Sequence, residues 1–441
     1  MKRKSCGMIL LFLVFSILLC GCDGLTADTE QLIRPPELTG EIKAIGQALS
    51  QGVKGTYSLK YPSSGDRRSA VITEDIDGDG ILEAFAFFGK EEDKTPTVHV
   101  AMVHSVKGEW KMEAEQTVEA GGVESVEFCD LNHNGKKSVL IGLEVFGSSE
   151  KKLAVYDTDN GKLSQRMLQP YTNFLCADLN EDGKNEIFIQ LLSPADGVHR
   201  ASVIAVKKDG IEEISSCLLD QTVKTVGTIT LGELSSGQPA VYLDETKGAG
   251  AITEVVFFAK GALVNPLLMP DLNENTVTLH NAMVQSRDIN GDGIVEIPIS
   301  LALPVPADRP EAERPELVGW HSFNGDRLVF IEKTIMNLVD YYEITLPEKW
   351  ADKITCELVS DPNMLTIFPW DAQTQTAGDA WIQVRVFAEP QWKKERESGT
   401  AYKEICRNNQ QIFAVLLRNS EELSISLEDF RKIFTAKEVE K

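Results

Sequence analysis

Asp75-Ile-Asp-Gly-Asp-Gly-Ile-Leu-Glu83, Asp178-Leu-Asn-Glu-Asp-Gly-Lys-Asn-Glu186 and Asp288-Ile-Asn-Gly-Asp-Gly-Ile-Val-Glu296 share one template, D-x-[DN]-x-D-G-x-x-E. A degraded copy from Asp130 to Ser138 keeps oxygen at its first, third and fifth positions, through Asp130, Asn132 and Asn134, but ends in Ser138. A fainter one, Gly232 to Ala240, keeps only the sixth-position Gly237. First positions at 75, 130, 178, 232 and 288 are separated by 55, 48, 54 and 56 residues. So regular a period means one supersecondary unit repeated along the chain.

The spacing has a physical reason. Oxygens at positions 1, 3 and 5 of a tight loop converge on one point, position 7 offers its carbonyl, and a carboxylate at position 9 closes the set around a hard cation. Gly at position 6 lets the backbone turn where a side chain would obstruct. The expected calcium ligands are Asp75, Asp77, Asp79, the Ile81 carbonyl and Glu83, then Asp178, Asn180, Asp182, the Lys184 carbonyl and Glu186. Asp288, Asn290, Asp292, the Ile294 carbonyl and Glu296 make a third set, and Asp130, Asn132 and Asn134 a weak fourth. Three structural Ca2+ ions are expected, since Mg2+ demands a smaller and stricter octahedron. An EF-hand is excluded, because position 12 is Ala86, Ile189 or Ile299 rather than a bidentate Glu.

Each loop runs into a β-type segment, such as Glu83-Ala-Phe-Ala-Phe-Phe88 or Glu186-Ile-Phe-Ile-Gln-Leu191, and is preceded by an apolar stretch such as Phe174-Leu-Cys176. Hairpin signals follow at Lys107-Gly108, Asn160-Gly161, Asp209-Gly210 and Asn324-Gly325. One unit is therefore about four strands, and the fold class is mainly β: a β-propeller of about five blades, with six or seven as alternatives. At these residues, roughly Ala70 to Lys333, the chain resembles bacterial FG-GAP or VCBS-type repeats, relatives of the integrin α-subunit propeller. The resemblance implies calcium in the loops. The Phe-Gly and Gly-Ala-Pro signatures are largely missing, with Phe88-Gly89 and Phe146-Gly147 as remnants. Five units are visible where integrin-type propellers have seven, so the chain ends are expected to close a five-bladed ring.

Upstream, Lys2, Arg3 and Lys4 precede an apolar run from Met8 to Leu19 and then Leu19-Cys20-Gly21-Cys22, which resembles a lipoprotein signal. Cleavage before Cys22 and diacylation there would anchor the chain to the outer face of a membrane, two acyl chains being what stable anchoring requires. Residues 22–38, with Pro35-Pro36, read as a tether. The formal charge of −23 becomes about −26 once three signal cations are removed, which disfavours nucleic acid as a partner. Five cysteines remain, Cys129, Cys176, Cys217, Cys356 and Cys406; an odd set reads mostly as small buried residues, with Cys356 and Cys406 able to pair.

The domains expected are a signal at 1–21, the lipidated tether at 22–38, the propeller with a short helix from Thr39 to Gln51 at 39–335, and a C-terminal α+β domain at 336–441. In the last, strands are expected at Tyr342 to Leu346, Ile354 to Val359, Leu365 to Phe368, Ala380 to Phe387 and Gln411 to Leu417, and helices at Ser398 to Asn408 and Leu427 to Thr435. Trp350, Trp370, Trp381 and Trp392 are read as core. The six histidines show no pairing of the zinc-hydrolase type, and no nucleophile elbow or P-loop is present. These features favour a binding or scaffolding module for a protein or envelope polymer, with no catalytic residues assigned. The alternative is an envelope hydrolase or lyase supported by calcium, whose cue would be paired carboxylates and a cation in one cleft.

Overall fold

The computed structural model describes residues 40–437, except 160, 194–196, 209, 282, 305–314, 351, 361–362, 409 and 419–423. The signal segment, Cys22 and the tether lie outside the described residues, as do Asn160 and Asp209 of two expected hairpin turns. Among the described residues no helix is long and apolar enough to cross a membrane.

The chain is mainly β and divides into successive antiparallel sheets. Helix α1 (Gly40–Gly52) precedes a first sheet of β1 (Tyr57–Leu59), β2 (Val71–Glu74), β3 (Glu83–Lys90), β4 (Thr97–Val106) and β5 (Glu109–Glu119). The second holds β6 (Gly122–Cys129), β7 (Ser138–Glu144), β8 (Lys151–Asp159) and β9 (Lys162–Tyr171). The third holds β10 (Asn173–Ala177), β11 (Glu186–Ser193), β12 (Val198–Lys207) and β13 (Gly210–Leu218). The fourth holds β14 (Thr225–Glu233), β15 (Pro239–Lys247), β16 (Gly250–Ala259) and β17 (Ala262–Val264). The fifth is built from β18 (Ile297–Leu301), β19 (Glu316–Phe323), β20 (Leu328–Asn337) and β21 (Tyr342–Thr345). A sixth contains β22 (Ile354–Ser360), β23 (Asn363–Asp371), β24 (Thr376–Ala377), β25 (Ile382–Phe387), β26 (Lys403–Arg407) and β27 (Ile412–Leu417); β28 (Phe434–Ala436) returns to the fifth.

The two-residue period of a strand explains how the sheets stack. Phe85 and Phe87 pack with Ile141 and Leu143 of the second sheet, while Ala84, Ala86 and Phe88 point the other way, beneath Ile45 and Leu49 of α1. Ile187 and Ile189 join Leu140 and Val155 of the second sheet, and Phe188 between them joins Val241 and Leu243 of the fourth. Tyr242 and Val255 then meet Ile297 and Phe323 of the fifth. Strands buried on both faces read as continuous apolar runs, which is why the sequence shows them so clearly.

The ends of the stack differ from expectation. Strand β1 pairs with β3 of its own sheet and β28 pairs with β21 of the fifth, so the chain ends do not pair with each other to close a ring. Small Ala84 and Ala86 leave room for α1, which takes the outward face of the first sheet. The position expected as a boundary, 335/336, falls within β20. Leu317 and Ile335 of the fifth sheet share one core with Tyr342, Trp350, Ile367, Trp381, Phe413 and Phe434, so the C-terminal unit packs on the fifth sheet through a common interior.

Trp350, Trp381 and Trp392 are buried and Trp370 is half-buried, in keeping with a core role. The expected helix at Ser398 to Asn408 is instead α2 (Glu389–Glu397) followed by β26. Pro390 sits in the first turn of α2, where its missing N–H costs nothing, and Gly399 at φ +77° follows its end. The last helix, α3 (Leu427–Ile433), is capped by Ser426, whose hydroxyl accepts from Asp429 N at 3.0 Å. Cys356 on β22 and Cys406 on β26 stand on opposite edges of the sixth sheet, too far apart to pair. The disulfide instead joins Cys129 and Cys176, whose Cα atoms are 6.5 Å apart, tying the second sheet to the third.

Candidate metal loops and a glutamate-lined cleft

Four of the loops connect neighbouring antiparallel strands, β2 to β3, β6 to β7, β10 to β11 and β14 to β15, while the fifth leads into β18 and is closed by a bridge between Arg287 and Glu296. The sixth-position glycines, Gly80, Gly135, Gly183, Gly237 and Gly293, have φ of +84°, +83°, +83°, +83° and +86°. All five loops, including the one that lost its acids, therefore make the same left-handed turn, which only glycine adopts without strain.

Within the loops the first aspartate accepts backbone N–H groups. In the fifth, Asp288 Oδ1 accepts from Gly291 N at 2.7 Å and Oδ2 from Gly293 N at 2.9 Å. Those N–H groups hold the exposed Asp288 carboxyl below its usual range. Asp178 Oδ2 and Asp75 Oδ2 likewise accept hydrogen bonds from Gly183 N and Gly80 N. In the first loop, carboxylate oxygens of Asp75, Asp77 and Asp79 lie within 4.8 Å of one another.

Unlike the aspartates and asparagines of the loops, the ninth-position glutamates are buried: Glu83, Glu186 and Glu296 are 3%, 1% and 0% exposed. One oxygen of each accepts from the second-position N–H, of Ile76, Leu179 or Ile289. The other oxygen faces a different environment in each loop. Glu83 Oε1 meets His104 Nδ1 at 3.0 Å, Glu186 Oε1 accepts from Asn180 Nδ2 at 2.9 Å, and Glu296 Oε1 has no partner. Burial, reinforced by the loop aspartates, pushes all three carboxyls above their usual range, and a nearby cation would relieve that cost. The donor set, all oxygen with one orphaned buried carboxylate atom, fits a hard divalent cation.

The degraded second loop conceals a residue that linear spacing could not reveal. Ser138 Oγ donates to Asp157 Oδ1 at 2.7 Å, and Asp157 lies directly across the strand pair from it. That position corresponds to His104 in the first sheet, so a carboxylate has moved to the neighbouring strand. In the fourth unit Leu234 N bonds Gln238 O and no carboxylate occupies the turn.

At the other end of the second sheet is an open cleft of about 460 Å3, lined by Glu124, Glu144, Phe146 and Lys151 among others. Phe146 is 73% exposed. Glu144 Oε1 accepts from Ser63 Oγ at 2.6 Å. Glu124 accepts from Ser64 Oγ at 2.5 Å, Lys151 Nζ at 3.2 Å and Tyr171 OH at 2.7 Å. The same hairpin borders a second hollow of about 300 Å3 that reaches Tyr171 and Lys224.

Burial would raise the Glu124 carboxyl, but the hydroxyls of Ser125, Ser64 and Tyr171 and the Lys151 ammonium overcome it and hold it at about 2. A carboxyl depressed on folding contributes stability above its unfolded value near 4.5 and loses it as pH falls towards 2. The contribution is up to about 3 kcal/mol. Glu124→Gln should therefore flatten the acid limb of a stability–pH curve between these limits, as read by urea titration at successive pH values; an unchanged limb refutes the assignment.

No family model and no curated protein matches the chain. Among solved structures it is similar to the exotype rhamnogalacturonan lyase YesX, at 13% identity and TM-score 0.31, over 71% of this chain and 55% of that one. It is similar to Bacillus licheniformis rhamnogalacturonan lyase PL11, at 10% identity and TM-score 0.31, over 74% and 70% of the two chains. For rhamnogalacturonan lyase YesW the values are 12% and 0.34, over 80% and 61%. The chain thus spans just over half the length of the first of these proteins. All three are rhamnogalacturonan lyases, and the expectation of a binding or scaffolding module is corrected towards its alternative, an envelope hydrolase or lyase.

Proposed function

We propose that this chain is a polysaccharide-acting lyase of the bacterial envelope, carried on propeller-type blades of the FG-GAP or VCBS kind that are fastened by calcium. One observation supports the reading above the others: two glutamates and a lysine share an open cleft beneath an exposed phenylalanine. This is the combination of paired carboxylates, cation and cleft that an enzyme of this class needs, and an exposed aromatic ring offers a sugar face a stacking surface.

In β-elimination a base removes the proton next to a uronate carboxyl, the glycosidic C–O bond breaks, and the departing oxygen takes a proton. Lys151 would face the uronate and Glu144 would take the proton, while water in the open cleft would supply one to the departing oxygen. Glu124, held ionised, positions Lys151 and Tyr171 through its two oxygens. Calcium in the loops of Asp75, Asp178 and Asp288 supports the blades at their other end. Lipid on Cys22 would keep the enzyme at the outer membrane face, beside envelope polysaccharide.

The test is incubation of the mature chain with rhamnogalacturonan and other acidic polysaccharides in calcium, followed by ultraviolet absorbance of unsaturated sugar and by reducing ends. Both should rise, and Glu144→Gln should lower kcat by roughly 100-fold or more. Reducing ends without unsaturated product would mean hydrolysis by the same carboxylates. Neither signal on any polymer rejects the proposal.

A further inference from the structure

Between the third and fourth sheets, at the strand ends opposite the acidic loops, His199 on β12, Glu245 on β15 and Glu254 on β16 converge. All three are buried, at 1%, 1% and 0% exposure. One ligand atom from each lies within 4.8 Å of the others.

The hydrogen-bond directions decide what the cluster lacks. His199 Nδ1 is 2.9 Å from the Asp220 carbonyl oxygen, which can only accept, so Nδ1 carries the ring proton. Burial keeps the ring neutral by lowering its proton affinity. Its Nε2 lone pair then faces Glu245 Oε1 at 3.1 Å, two acceptors pointed at each other. The Gln190 amide, 3.2 Å from Nε2, also donates to Glu245 Oε1 and so serves both with one group. Glu245 Oε2 is fully buried with no partner.

Glu254 accepts from Asp220 N at 3.1 and 3.0 Å and from Asn265 Nδ2 at 2.5 Å. The nearby ammonium of Lys247 is engaged elsewhere, with Asp220 Oδ2 and Glu274 Oε1, each at 2.8 Å. Two buried carboxyls and a neutral imidazole thus hold acceptors in excess, a deficit that a positive ion would fill.

We propose that His199 Nε2, Glu245 and Glu254 form a buried site for a divalent cation of the zinc class, which clamps the third sheet to the fourth. A ring whose Nδ1–H is fixed on a backbone carbonyl presents Nε2 as metal-ligating histidines do. Imidazole with two carboxylates selects Zn2+ or a neighbouring transition ion, whereas the loops, all oxygen, select Ca2+. The inference is independent of the lyase reading.

The experiment strips the mature chain with a strong chelator, restores millimolar calcium, and titrates Zn2+ by calorimetry, with metal content measured after dialysis. One Zn2+ per chain is expected, and Asp178→Asn should not disturb it. Glu245→Gln and His199→Gln should each weaken it by about 10- to 100-fold or more. Co2+ bound to wild-type protein should give visible absorption of a nitrogen- and oxygen-ligated ion, a readout that does not depend on folded variants. Absence of stoichiometric Zn2+ binding by wild type would overturn the proposal in favour of a carboxyl pair sharing protons. Retention of Zn2+ by folded Glu245→Gln/His199→Gln protein would overturn it equally.

Discussion

Calcium restored to chelator-stripped protein should raise the melting temperature, and Asp288→Ala should remove a larger share of that rise than Asp75→Ala or Asp178→Ala. An ion at a hundred times its Kd stabilises the state that binds it by about 2.7 kcal/mol, which for a cooperative body of this length is roughly 3 °C per loop. The ranking follows from the ninth-position glutamates. In the fifth loop Glu296 Oε1 is buried without a partner, so the ion corrects a defect that nothing else compensates. In the first, Glu83 Oε1 already has His104, and in the third Glu186 Oε1 already has the Asn180 amide, so the ion displaces an existing contact. Thermal melts with and without chelator decide the matter. Insensitivity of wild type to chelator refutes metal in these loops, and a larger loss from Asp75→Ala refutes the ranking.

What could be read from the sequence is what depends on local geometry. An oxygen at every second position and a glycine at the sixth are required within nine residues, so the loops and the strands they feed were visible, and all five glycines take the same turn. Features set by contact between distant strands were not. Asp157 reaches Ser138 only across a strand pair, and Glu124 meets Tyr171 from another strand of its sheet. His199, Glu245 and Glu254 come from three strands of two sheets. Cys129 and Cys176 did carry a signal, being 47 residues apart, close to one repeat, and each standing at the entrance to an acidic loop. Ring closure failed for a related reason. Ala84 and Ala86 read as ordinary strand residues, and nothing in their spacing shows that a helix covers them.

The shared core at the other end of the stack leads to the second large effect. Trp350→Ala should cost about 3–5 kcal/mol, and it should destabilise the fifth sheet together with the sixth. Trp350 is fully buried, with its ring 4.7 Å from that of Trp381 in an edge-on arrangement. It belongs to one continuous core with Ile335 and Tyr342 from the fifth sheet and Ile367 and Phe413 from the sixth, so truncation weakens an interior that both share. Strand β28 adds backbone coupling, pairing Phe434 with Ile344 after the chain has passed through the whole sixth sheet. An independently folding C-terminal domain would instead confine the loss to its own transition. Hydrogen exchange on Trp350→Ala separates the two cases. Amides of β20 and β21 should lose protection in parallel with those of β23 and β27, and unchanged protection in β20 and β21 would restore a domain boundary near residue 336.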